Sequence, residues 1–404
     1  MKEKLDSEPA KGVVLKAILV LFLTIAIVLS AANVAIKYTH DKKDYNLLNY
    51  VPPVKRYVSL REYLPLMDRL VTPDETTMRI SDNLVQKEYR LRTDENGFII
   101  PSEIYKNPDF SLVFLGGSQV ESAFLDEEKR YPVLVGEILS ERLGKKVNSY
   151  NGGIMGSNSL HSINLLLYKV IPLKPRFVIL SHNYNDLLYL LNYGDYWSKH
   201  SPEPIIKEER SGLARIMRNG KDIIKDSTRL VFPYLYSRLL IFKDDIATVR
   251  LEARAKNSKD ASPSRGEKKL PNQIGELKND FIANLKLFIY IARSRGITPV
   301  LSIPSSRFIE KPEGKVNVSL QNWANSYNMD FNSFYKTFKG HHEAFNETIR
   351  LVGKSENALV VDMDRMVPKN KTYMYDLFHF TPEGARFVAG LIADQLINID
   401  SSLM

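Results

Sequence analysis

From about Asp109 onward, short apolar runs alternate with stretches whose apolar residues recur on a helical period. Ser111–Leu115 is an apolar run of strand length. Tyr131, Leu134, Val135, Ile138 and Leu139 then fall on one face of a helix, with Pro132 near its start and Gly144 just past its end. Val147–Tyr150 reads as a second strand and Ser159–Val170 as a helix. Phe177–Ser181 reads as a third strand. Further on, the pattern predicts a helix over Ile274–Arg295, a strand over Pro299–Ile303 and a helical stretch over His341–Val352. It closes with a strand over Ala358–Met363 and a helix over Pro382–Ile397 capped by Thr381. Five strands alternating with helices predict an α/β fold. The expected architecture is three layers, α/β/α, around a five-stranded parallel sheet.

Ala17–Ile36 has a different pattern. It is an uncharged run of 20 residues between Lys16 and Lys37, long enough as a helix to cross the hydrocarbon core of a bilayer. Ser30-Ala31-Ala32 would suit cleavage of a signal peptide, but the apolar run continues past it to Ile36, which favours an uncleaved anchor. A short tail, residues 1–16, then precedes a signal-anchor at 17–36. The long remainder would lie outside the cytoplasm, in a periplasm or at a cell surface. Lysines on both sides of the run make the charge bias weak. Residues 37–108 read as a juxtamembrane region broken by Pro52-Pro53, Pro65 and Pro73. Leu91–Phe98 reads as a turn followed by a buried aromatic. The domain proper spans 109–400, with an insertion at about 196–271 where the pattern loosens.

The chain has 404 residues and no cysteine. A disulfide framework, a thiolate metal site and a cysteine nucleophile are thereby excluded. Its net charge is +9, and the stretch Lys207–Lys256 holds 12 Lys/Arg against 7 Asp/Glu. No nucleic-acid-binding motif accompanies that charge, so no nucleic-acid partner is expected. A solvated helical surface explains the stretch, and contact with an acidic polymer or anionic lipid headgroups is the alternative.

The candidate chemistry lies at strand ends. Ser118 follows the first strand after Gly116-Gly117, Gly156 follows the second, and Asn185 follows the third. Asp376 and His379 follow the fifth. In a parallel sheet these loops emerge at one edge. Taken alone, Gly-Gly-Ser is equally a turn, and Asp-x-x-His is equally a helix start. Together they supply a nucleophile, a base and a carboxylate to orient it. His341-His342-Glu343 lacks the spacing of a helical zinc site, and no metal or cofactor is expected. His182 either lines the pocket or is a satisfied buried histidine. Tyr189, Tyr193, Tyr196 and Trp197 form either an aromatic platform for a substrate or packing against the insertion.

Four blocks occur in order: Gly116-Gly117-Ser118, Asn151 to Gly156, Asn183-Tyr184-Asn185-Asp186, and Asp376-Leu377-Phe378-His379-Phe380-Thr381-Pro382-Glu383-Gly384. Over residues 92 to 398 this resembles the SGNH (GDSL-like) hydrolase superfamily. The resemblance implies a flavodoxin-like sheet and an acyl-enzyme mechanism. Ser118 would be nucleophile, His379 base and Asp376 its partner. The oxyanion donors would be the backbone N–H groups of Ser118 and Gly156 and the side chain of Asn185. His182, Asn183, Tyr189 and Trp197 are candidates for substrate contact. Two positions depart from the usual pattern. Gly117 stands where the family often has Asp. Asn183 stands where it usually has Gly, so its side chain would crowd the pocket or add a hydrogen bond. The expected substrate is an O-acyl, above all O-acetyl, group on an envelope or extracellular carbohydrate, with assembly proteins of that polymer as candidate partners. An O-acyltransferase, a lipid esterase and a non-catalytic scaffold are the alternatives.

Overall fold

A computed structural model describes residues 16, 19–25, 27–31, 54–198, 201, 204–210, 270–271 and 274–399. The chain divides into two compact units, Met1–Tyr57 with Glu208–Thr248, and Val58–Lys207 with Val249–Met404. In the first unit the described residues include helical residues between 16 and 31. They also include most of a two-stranded sheet made by β1 (Val54–Val58) and β7 (Ile206–Arg210). Much of the expected span Ala17–Ile36 lies outside the described residues. Among the described residues no helix is long and apolar enough to cross a membrane. Most of the expected insertion also lies outside them.

The second unit is built on five parallel strands: β4 (Phe110–Gly116), β5 (Val147–Gly153), β6 (Phe177–Ser181), β8 (Thr298–Ile303) and β9 (Leu359–Asp362). Their order across the sheet is β5-β4-β6-β8-β9, with all four pairings parallel. The first of these strands thus lies second in the sheet. The winding reverses between β4 and β6, which is where open α/β sheets form their crevice.

The strands alternate faces with a period of two, and both faces are buried. Val113, Leu115, Val178, Leu180, Leu301 and Ile303 face one core. That core is covered by α4 (Ser159–Leu165), α6 (Leu277–Ser294) and α8 (Phe331–Ser355). Leu112, Phe114, Phe177, Ile179, Val300 and Val361 face the other, covered by α3 (Tyr131–Leu143) and α10 (Pro382–Ile399). The last helix shows why. Ala385, Val388, Ala389, Ile392, Ala393 and Leu396 are all buried and recur every three or four residues, a single apolar stripe.

The region expected to be juxtamembrane belongs, from Val58 onward, to this same unit. The antiparallel strands β2 (Asp68–Val71) and β3 (Tyr89–Arg92) are tied to the α/β body by Arg130, whose side chain is fully buried. Its guanidinium donates to the carbonyls of Arg90 (2.6 Å), Ile100 (3.3 Å) and Ser122 (3.3 Å). The turn before Phe98 is closed by Asp94, whose carboxylate accepts from the Asn96 and Phe98 N–H groups. Phe98 itself is buried against Tyr150.

Candidate active site

β4 ends at Gly116, and the chain turns at once into a four-residue helix, α2 (Ser118–Glu121). Ser122 stops it in a left-handed conformation with its N–H on the Ser118 carbonyl. Ser118 is therefore the first helical residue, and its own N–H makes no intrahelical bond. α2 lies directly on the end of β5, so Gly153 has no room for a side chain. A Cβ there would stand 2.3 Å from the Glu121 nitrogen.

The final block meets this corner from the far side of the sheet. The Asp376 carboxylate accepts the N–H groups of Phe378 (2.8 Å) and His379 (2.7 Å), which fixes the turn. Its second oxygen lies 2.7 Å from His379 Nδ1. His379 Nε2 lies 2.8 Å from Ser118 Oγ. With Asp376 on Nδ1–H, Nε2 is the lone-pair nitrogen facing the hydroxyl, the arrangement that lets an imidazole take a serine's proton. Tyr375 stacks on the imidazole at 5.5 Å between ring centroids. Gln119 donates to the carbonyls of Ser305 (2.9 Å) and Phe378, holding the histidine turn against α2.

Burial alone would lower the pKa of His379. The charge and hydrogen bond of Asp376, with the charge of Glu121, outweigh it and hold the imidazole above its ordinary value. For Asp376 burial pushes upward, but the charge and hydrogen bond of His379 and the two turn N–H groups win, leaving the carboxyl below its usual range. Each partner thus stabilises the charged form of the other.

Asn185 is the second residue of α5 (Tyr184–Tyr193), directly after β6. Its Nδ2 donates to the Ser157 carbonyl at 2.8 Å and lies against Gly117, where a Cβ would approach it to 2.3 Å. The amide's second N–H remains for a ligand. Gly156 sits at the third position of a turn closed by the Ser157 N–H on the Ile154 carbonyl (3.1 Å), with φ +73°. Met155 has no such positive φ, so this is a type II turn, which needs glycine at that position.

A cavity of about 60 Å³ opens against Ser118 and His379. Asn185, His182, Asn183, Tyr184, Pro304 and Phe378 are among its walls. Gly156, Tyr189 and Trp197 are not among its lining residues. Tyr189 is buried against Tyr193 and Tyr196, and Trp197 is exposed beside Tyr196. The aromatic surface beside the cavity comes instead from Tyr184, Phe378 and Trp323. Tyr184 lies 4.0 Å from Phe378 and 5.5 Å from Trp323 between centroids. Trp323 belongs to α7 (Gly314–Ser326), a helix the sequence pattern does not announce.

His182 is buried in the wall of the cavity. Nε2 lies 2.7 Å from Ser162 Oγ, and Nδ1 lies 3.5 Å from Asp186. Burial depresses the His182 pKa to about 3 and raises that of Asp186 to about 6. The contact between them is therefore not an ion pair. Asp186 accepts instead from Ser159 and Tyr196. Asn183 donates to Asn346 and to the His342 carbonyl, so its side chain joins β6 to α8. His342 is buried against Phe308, and His341 Nε2 lies 2.6 Å from the Pro271 carbonyl.

Three further residues of this region are not singled out by the sequence: Arg61, Tyr63 and Glu121. Glu121 is 3% exposed and bonded to the Tyr63 hydroxyl.

No protein-family model matches the chain, and no curated protein matches it. Solved structures similar to it include Axe2, an acetylxylan esterase from Geobacillus stearothermophilus, at 12% identity and a TM-score of 0.39, covering 71% of this chain and 94% of that one. A lipase/acylhydrolase from Enterococcus faecalis is 14% identical with a TM-score of 0.38, covering 72% and 96%. At these values the likenesses add nothing to what the geometry carries.

Proposed function

We propose that this chain is a serine esterase of the SGNH type that removes a short O-acyl group through an acyl-Ser118 intermediate. The observation that carries the reading is the continuous Ser118–His379–Asp376 hydrogen-bond chain, 2.8 and 2.7 Å, at the C-terminal edge of a parallel sheet. Ser118 Oγ attacks the ester carbonyl while its proton passes to His379 Nε2. The tetrahedral oxyanion is met by the Ser118 and Gly156 N–H groups and by Asn185 Nδ2. His379 then protonates the departing alkoxide as the C–O bond breaks. Water, deprotonated by His379, attacks the acyl-serine and releases the carboxylic acid. An acceptor hydroxyl in place of that water would make the same site an O-acyltransferase.

The cavity supports a short acyl group. Its roughly 60 Å³ corresponds to about four to six water positions at ~10–15 Å³ each, which admits an acetyl group. The uncharged run Ala17–Ile36 supports tethering to a membrane, with a carbohydrate of the cell envelope as substrate. The test is hydrolysis of a small aryl acetate against the corresponding octanoate, by wild type and Ser118→Ala. Turnover of the acetate by wild type alone, with Ser118 labelled by a fluorophosphonate, is expected. Equal turnover by both proteins, or a folded wild type that resists labelling, would remove Ser118 from the chemistry.

A further inference from the structure

The carbonyl of the Met155–Gly156 peptide is held by a residue outside the four blocks. Arg61 Nη2 donates to the Met155 carbonyl at 2.6 Å. Two residues on, the Tyr63 hydroxyl donates to the Glu121 carboxylate. Arg69 donates to that hydroxyl at 3.1 Å and lies over the Tyr63 ring. The guanidinium of Arg61 also stands 3.1 Å from where a Gly156 Cβ would be. Arg61, Tyr63 and Arg69 all precede the sheet in the chain.

The geometry of the turn gives these contacts a meaning. A type II turn differs from type I mainly by a flip of its central peptide, here Met155–Gly156. Glycine tolerates both forms, since either sign of φ is open to it. A trans peptide is planar with its C=O and N–H on opposite sides. Whatever holds the Met155 carbonyl therefore aims the Gly156 N–H. We propose that Arg61 is a positioning residue: by capturing the Met155 carbonyl it selects the type II form and fixes the direction of the Gly156 oxyanion donor. The inference rests on the esterase reading.

Met155–Gly156 is the sole Met–Gly step in the sequence. Full-length protein labelled with ¹³C-carbonyl methionine and ¹⁵N-glycine will therefore show a single carbonyl–amide cross-peak, that of Gly156. In Arg61→Ala this peak should shift and broaden or split as the two turn forms exchange. On the aryl acetate, kcat should fall about 10-fold or more while KM stays within about twofold, because the donor acts on the transition state. A wild-type cross-peak together with wild-type kcat in Arg61→Ala would overturn the positioning role. If Arg61→Ala does not fold, Arg61→Met keeps the apolar stem, removes the donors and carries both readouts. A wild type that neither turns over nor labels would sink the esterase reading and this role with it. An active wild type with an indifferent Arg61 variant sinks this role alone.

Discussion

Gly117→Ala tests the oxyanion arrangement without touching any residue of the hydrogen-bond chain. Gly117 has φ −86° and ψ −155°, an extended conformation with negative φ that does not require glycine. The obstacle is Asn185. The new methyl would stand 2.3 Å from its Nδ2, whereas ordinary contact begins at 3.4 Å. The amide must retreat by about 1 Å, and the Ser157 carbonyl that orients it lies only 3.7 Å from the same methyl. A donor displaced that far leaves hydrogen-bonding range of the oxyanion. Losing one such donor costs about 2.7–4 kcal/mol, or ~100–1000-fold in kcat. Asn185→Ala should lose a similar factor. The double variant should lose little more than either alone, because both remove one interaction. The assay is kcat on the aryl acetate, with thermal unfolding run in parallel to show that the fold persists. Full activity in Gly117→Ala, or a double variant that multiplies the two losses, would refute the placement of Asn185 as a donor.

Glu121→Gln removes a charge that raises the His379 pKa. The base must be neutral to act, so the acid limb of kcat/KM, expected above the ordinary imidazole value in wild type, should move to lower pH. A limb that stays or moves upward would discount Glu121. His182→Gln should flatten the acid dependence of stability. The folded-state pKa of His182 is depressed to about 3 against about 6.5 unfolded, so the unfolded chain binds more protons and stability falls as pH drops through that window. The slope removed approaches about 1.4 kcal/mol per pH unit below the unfolded pKa, read from urea midpoints at pH 7, 6 and 5. His342, depressed to about 4, should keep part of the slope. Asp186, raised to about 6, works in the opposite sense: it costs stability as pH rises from about 4 to 6. Asp186→Asn should therefore steepen the loss of stability on acidification across that range, and an unchanged profile would show that the carboxyl is not titrating there.

What could be read from the sequence was local, and what could not was the meeting of distant segments. β6 is the clearest case: Phe177–Ser181 is an unbroken apolar run bounded by Arg176 and His182, and the strand has those limits. The predicted helix over Ser159–Val170 was less simple. It is α-helical only to Leu165 and continues as a π-turn through Val170, a change of hydrogen-bond spacing that apolar periodicity does not register. α5 and α7 escaped because polar residues interrupt their apolar periodicity: Asn185 and Asp186 open the one, and Asn317, Ser319 and Gln321 are interspersed in the other. Among the aromatic candidates the pattern gave proximity in sequence, which favoured Tyr189 and Trp197. The fold places beside the cavity Tyr184, only three residues after β6, with Trp323 and Phe378 from remote parts of the chain. Arg61 is the extreme of this. Nothing in Leu60-Arg61-Glu62-Tyr63 marks it, and its partner is a main-chain carbonyl, which no motif can name. Motifs capture groups that do chemistry because those must have fixed identities. A residue that only aims a peptide is constrained by where its donor reaches, and that constraint exists only after the chain has folded.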